Sequence, residues 1–199
     1  MHGIIFTGLK RFVVETYDKE TWNRIREQAD ADGVHYTPVS AYPDDDLVAL
    51  VEAAVELSGI ERSDLLRTFG RHVVPTLVDM YGVYIEDDWR ALELVENVEE
   101  TIHQALRNSD TLEYEPPAIS ATRLDEGVVV VTYDSRRGLC EVAMGLLEGI
   151  GDHYDQRLEV YEHRCRHDGA SQCEIVAVGA ATPRQQAERV IEREFEPTA

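Results

Sequence analysis

Lysine is almost missing from this chain. Lys10 and Lys19 are the only two, so 17 of the 19 basic residues are arginine, and 39 acidic residues stand against them for a formal net charge of −20. So little positive charge argues against nucleic acid as a partner, because phosphate binding needs a cationic footprint that the summed field here opposes. Anionic membrane surfaces are disfavoured on the same ground. An acid-rich, lysine-poor surface is that of cytosolic proteins from salt-accumulating cells, where screening reduces self-repulsion, and a halophilic source is the expectation.

Long apolar runs are missing as well. None approaches the roughly 18–20 residues of a membrane span, and MHGIIFTGLKRF turns polar too soon for a signal peptide. Cysteine is scarce and odd in number: Cys140, Cys165 and Cys173 all fall in the last 60 residues. That suits a reducing compartment with thiols held free or on metal, so a cytoplasmic location is expected. The chain has no Gly-rich phosphate loop, nucleophile elbow or HExxH, and no internal repeat. No acid–base pair stands out among its carboxylates, so it does not read as an enzyme.

What is present is an ordinary globular composition: 199 residues, 43% hydrophobic and 29% charged, enough for one domain with a core and no disulfide staples. The first half has helical spacing. Trp22 and Ile25 share a face of TYDKETWNRIREQAD, and Leu47, Leu50, Val51, Ala54 and Leu57 line PDDDLVALVEAAVELSG, which starts on aspartates and stops at Gly59. Ser63 is placed to cap SDLLRTFGRHVVPTLVDMYG, which Pro75 should kink or divide. One long helix is expected over DDWRALELVENVEETIHQALRNSD, followed by extended EYEPPA.

After Pro117 the period changes from 3.6 to 2. ISATRLDEGVVVVTYDS reads as a hairpin around Asp125, Glu126 and Gly127, and RLEVYEHRC with QCEIVAVG as a second strand pair around HDGAS. Between them RRGLCEVAMGLLEGIGDHYD has a buried helical face through Leu139, Val142, Ala143, Leu146 and Ile150. The expected fold is α+β, a helical N-terminal half and a C-terminal half with an antiparallel sheet of about four strands and a helix. Residues 1–180 form the domain, and 181–199 a charged tail or helix.

Three constellations carry chemistry. In VVVVTYDSRRG, strand alternation puts Tyr133, Ser135 and Arg137 on one side, two hydroxyls and a guanidinium that match a ligand with two carboxylates; a solvated strand face with a paired arginine is the alternative. His103 lies in a helix with Glu99 and Glu100 one turn before it and is suited to ligate iron, or is a satisfied packing residue. Cys140, His163, Cys165 and Cys173 are a possible tetrahedral zinc shell, with His167 able to replace His163; three reduced cysteines packed as small hydrophobes are the alternative. The run Asp44, Asp45, Asp46 reads as helix-start charge.

Taken together, MHGIIFTGLKRFVVETYDKETW, LLRTFGRHVV, an Ile-His on the long helix with a proline thirteen residues later, and Tyr-x-Ser-x-Arg resemble the haem-nitric oxide/oxygen-binding (H-NOX) family, the sensor module of soluble guanylate cyclase and of stand-alone prokaryotic proteins. The resemblance runs from residue 1 to about 178. It implies haem b held between the two halves, His103 as proximal iron ligand, Tyr133, Ser135 and Arg137 on the propionates, and Pro116 pressing on the porphyrin. Ile5, Val73 and Val142 fall at distal positions, Val142 where oxygen-binding members carry a tyrosine. All three are apolar, which implies selectivity for nitric oxide. His72, beside Val73, is assigned a surface role. The resemblance further implies that gas binding loosens His103, that its helix shifts, and that a separate effector of histidine kinase or cyclase type detects the change, since no output domain follows residue 199. A second functional class is a Cys/His zinc-dependent redox or small-molecule sensor in which haem is absent or incidental.

Overall fold

The computed structural model describes residues 1–108 and 115–195. Helix α1 (Gly3–Thr16) buries Ile4, Phe6, Leu9, Phe12 and Val13. The sequence reading begins its first helix only at Thr16. Its usual start signals are absent from α1, which has no acidic residue in its first turn and is capped by His2 instead of Ser, Thr, Asp or Asn. Asp18 caps α2 (Lys19–Gln28), its carboxylate accepting from the Thr21 N–H at 2.7 Å, and Trp22 and Ile25 are the buried face. Helix α3 (Asp44–Ser58) starts on three aspartates and stops as expected at Gly59, whose φ of +68° needs a residue without Cβ.

Helix α4 (Arg62–Tyr81) corrects the expected start and narrows the expectation at Pro75. It begins before Ser63, at Glu61, with no side-chain cap, and Pro75 lies inside it without dividing it. Leu65, Leu66, Phe69, Val73 and Val74 are all buried on α4. At roughly 1.5–3 kcal/mol each, they outweigh the ~3 kcal/mol cost of one mid-helix proline. The expected long helix is present from Ala91 to Arg107, as α5 (Ala91–Asn97), a π-helical turn (Glu99–His103) and α6 (Gln104–Arg107) joined through helical backbone at Val98. Its expected end at residues 109–110, and Glu113 and Tyr114 of EYEPPA, lie outside the described residues.

The carboxy-terminal half is an antiparallel sheet of β1 (Ala118–Asp125), β2 (Val128–Asp134), β3 (Leu158–Arg164) and β4 (Cys173–Gly179) in the order β1-β2-β4-β3. The two expected hairpins therefore join through their inner strands, β2 and β4. Those two read as nearly continuous apolar runs because both faces are covered. One face, with Val129, Val131, Ile175 and Ala177, packs on α5 and α7 (Cys140–His153). The other, with Val128, Val130, Val176 and Val178, lies under Ala187 and Ile191 of α8 (Arg184–Phe195), the helix within the expected tail.

Helices α4 and α7 run side by side and join the halves. A Cβ on Gly145 would come within 2.0 Å of the Arg67 carbonyl oxygen, and one on Gly70 within 2.3 Å of that of Val142. This backbone approach holds the inner faces of both helices against one space, where the site lies.

Candidate functional site

Both halves line a cavity enclosing about 1490 Å³ of atom-free space, its open mouth included. Ile5 of α1, Phe69 and Val74 of α4, and Val142 and Leu146 of α7 make an apolar wall. Among the described residues, the polar side chains that open on it are His2, Tyr81, His103, Tyr133 and Arg137.

The π-helical turn positions His103. The His103 N–H bonds back five residues to the Val98 carbonyl at 3.0 Å, so one extra residue is fitted into the turn. At about 100° per residue, His103 would lie roughly 80° around from Val95 on a regular helix; the extra residue brings it to within about 20°. Val95 and His103 accordingly line the same cavity. Nδ1 of His103 is 3.0 Å from Oε2 of Glu99. Burial pushes the His103 pKa down against the opposing pull of Glu99, which keeps the ring neutral. With the Nδ1 proton donated to a carboxylate, the lone pair is on Nε2, as in a metal-binding histidine. Glu99 is half-buried, which alone would raise its pKa, but hydrogen bonds from Arg107 and His103 hold it below the usual range. Arg107 then donates to the Pro117 carbonyl at 3.1 Å. A continuous polar path thus runs from His103 to the head of β1.

Tyr133, Ser135 and Arg137 meet at one end of the cavity, though not as a straight row. Strand β2 ends at Asp134, so alternation does not carry on to residues 135 and 137. Tyr133 and Arg137 line the cavity, whereas Ser135 lines a smaller polar pocket that shares Tyr133 with it. The Ser135 Oγ accepts from the Arg137 N–H at 3.3 Å. Gly138, at φ +59°, turns the chain from there into α7. Asp44 does more than start a helix. Its carboxylate pairs with Arg137 Nε at 2.8 Å and lies 2.7 Å from the Met1 ammonium. Burial pushes its pKa up, but these two cations overcome that and hold it low.

One neutral imidazole, apolar walls and a guanidinium–hydroxyl end fit a flat, amphipathic tetrapyrrole with an iron and two carboxylates. The other expected residues divide. Ile5 and Val142 line the cavity. Val73 does not: it packs on α1, where a Cβ on Gly8 would come within 2.5 Å of its Cγ2, and Val74, about 100° around the helix, takes the wall. Pro117 lines the cavity and Pro116 is buried beside it, because neighbours in extended backbone face opposite ways. His72 pairs with Glu15 at 3.1 Å and packs with a tilted ring against Phe12, away from the cavity. His2 and Tyr81 have no counterpart in the sequence reading. Histidine is an uncommon cap, and Tyr81 stands at the end of a helix whose phase Pro75 obscures.

Cys140, Cys165 and Cys173 converge behind this end, and Tyr133 and Cys173 are directly paired across β2 and β4. The Sγ atoms of Cys140 and Cys173 each lie 3.7 Å from that of Cys165. Burial pushes the Cys140 thiol far up and that of Cys165 up to about 11. His163 is not in this cluster. It is the extra residue of a β-bulge between Glu162 and Arg164, which turns it towards Phe195 of α8 and gives its place to the Glu162 carboxylate. His167 comes near Cys140 and Glu141.

An α+β domain closing a histidine and a guanidinium–hydroxyl end around one apolar cavity is the architecture of a haem-pocket sensor class. The haem-NO-binding (HNOB) family model matches residues 2–162, and the chain belongs to that family, made of haem-based gas sensors that are not catalysts. The fold is shared with the H-NOX protein from S. oneidensis solved in its Fe(II)NO ligation state, at 24% identity and a TM-score of 0.82 over 90% of this chain and 99% of that one. The Fe(II) unliganded H-NOX protein from K. algicida matches at 22% identity and a TM-score of 0.78, over 90% and 96% of the two chains. Among the described residues no helix is long and apolar enough to cross a membrane.

Proposed function

We propose that this chain binds haem b between His103 and Arg137, senses nitric oxide, and signals in the cytoplasm to a separate effector of histidine kinase or cyclase type. The observation that carries the reading is a neutral, Glu99-oriented imidazole sharing an apolar cavity with Arg137 and Tyr133. When bound, haem would supply an iron able to accept the Nε2 lone pair of His103 and to bind a gas. The protein's part is to hold His103 by Glu99, anchor the carboxylate edge and keep the cavity dry. Displacement of the imidazole reaches Glu99, Arg107 and Pro117 through their hydrogen bonds, which moves the 99–107 segment against β1. An effector responds only if it binds the two arrangements with different affinity.

Selectivity follows from the wall. Bound dioxygen develops negative charge and is stabilised by a hydrogen-bond donor, and Ile5, Phe69, Val74, Val142 and Leu146 offer none. Tyr81 sits twelve residues along α4 from Phe69, about 18 Å away along the helix axis. Reduced, haem-loaded protein is expected to give a nitrosyl spectrum with nitric oxide and no lasting ferrous-oxy spectrum in air; a stable oxy complex would refute the selectivity.

We also propose that the thiol cluster takes up zinc. Sulfurs on a tetrahedral ion at about 2.3 Å lie about 3.75 Å apart, which matches the 3.7 Å separations here. Cys140, Cys165 and Cys173 with Glu162 would complete four ligands, and the raised thiol pKa values mean that binding releases protons. Protein purified without a histidine tag should carry about one zinc per chain, lost in Cys165→Ser. Wild-type protein free of zinc after growth with added metal would dismiss the site.

A further inference from the structure

We propose that His2 is a further anchor for the carboxylate edge of the haem, donating from Nε2 to a propionate beside Tyr133, Ser135 and Arg137. The proposal rests on the haem reading above and adds to it a residue outside the Tyr-x-Ser-x-Arg motif.

His2 is 3% exposed and lines the cavity. Its Nδ1 accepts from the Ile4 N–H at 3.3 Å, capping α1, so the proton of the neutral ring is on Nε2. Burial lowers its pKa and favours that neutral form. The backbone on either side is pinned: the Tyr42 N–H donates to the Met1 carbonyl at 2.9 Å, and the Gly3 N–H to the Ser40 carbonyl at 2.7 Å. The ring is therefore held in place before any ligand arrives.

Its position within the cavity selects the acceptor. Met1, the neighbouring residue, contacts Asp44, and Asp44 holds Arg137 Nε, so the start of α1 is at the guanidinium end. Ile5, nearly one turn further on, belongs to the apolar wall. An N–H donor at the cationic edge faces what lies at that edge, a carboxylate, and not a gas above the centre of the ring.

His2→Asn separates anchoring from capping, because asparagine is a good N-cap but too short to reach into the cavity. Haem transfer from the ferric full chain to excess apomyoglobin should be roughly tenfold faster or more than in wild type, as expected for loss of a hydrogen bond to a charged group. The melting temperature of the haem-free variant and its nitrosyl spectrum should be unchanged. His2→Gln, whose amide N–H reaches further, should restore much of the slow transfer. Wild-type transfer rates in His2→Asn would overturn the anchor alone. So would a shifted Fe–CO stretching frequency with haem loss unchanged, which would place the ring against the gas. A wild-type chain that takes up no haem would overturn the haem reading and the anchor with it.

Discussion

A His103→Gly chain is expected to fold and yet to lose the ferrous Soret band of a histidine-ligated haem, with added imidazole restoring it. The fold should tolerate the change. Glycine at one helical position costs about 1 kcal/mol, and the core clusters on either side of the cavity do not depend on His103. Haem affinity should not tolerate it. Loss of an outer-shell partner of a metal ligand already costs roughly 10–100-fold, so loss of the ligand itself should exceed about 100-fold. Imidazole rescue separates a missing ligand from a collapsed cavity. A His103→Gly protein that keeps the wild-type ferrous spectrum would remove His103 from its assigned place.

Val142→Tyr should do the reverse, sparing haem retention and changing which gas is kept. Val142 is 7% exposed, and its carbonyl lies where α4 and α7 touch at Gly70, so the helix cannot slide away from a larger side chain. A tyrosine there has the cavity as its open direction, where its hydroxyl becomes the donor that the wall lacks. Overpacking should cost about 1–3 kcal/mol of stability. The reduced variant in air is expected to hold a ferrous-oxy spectrum for minutes where wild type shows none. A variant that binds haem and nitric oxide but still forms no oxy complex would mean that selectivity is set elsewhere than at this wall.

Much of the fold was legible because its signals are local. The change of period after Pro117, the hairpin turn at Glu126 and Gly127, and the stop at Gly59 each follow from a few adjacent residues. His103 and the Tyr133–Arg137 segment were legible as chemistry, and their meeting in one cavity follows from the fold. The differences share one physical root, a shift of a single residue against an ideal period. The π-helical turn inside the expected long helix rotates His103 inwards. The β-bulge exchanges His163 for Glu162. The end of β2 at Asp134 takes Ser135 off the cavity lining while leaving it beside Tyr133 and Arg137. Helix phase puts Val74 on the wall in place of Val73, and backbone alternation does the same for Pro117 and Pro116. Such insertions are set by tertiary packing and leave no mark on residue spacing. His2 is a different case, a cap whose residue type conceals it.

Stoichiometric titration of the reduced apo-protein with haem in the absence of oxygen, followed at the Soret band, bears most directly on whether His103 and Arg137 enclose an iron porphyrin. Saturation at one haem per chain, with the spectrum of a five-coordinate, histidine-ligated ferrous haem, is the predicted result. A spectrum that stays that of free haem throughout the titration would contradict it.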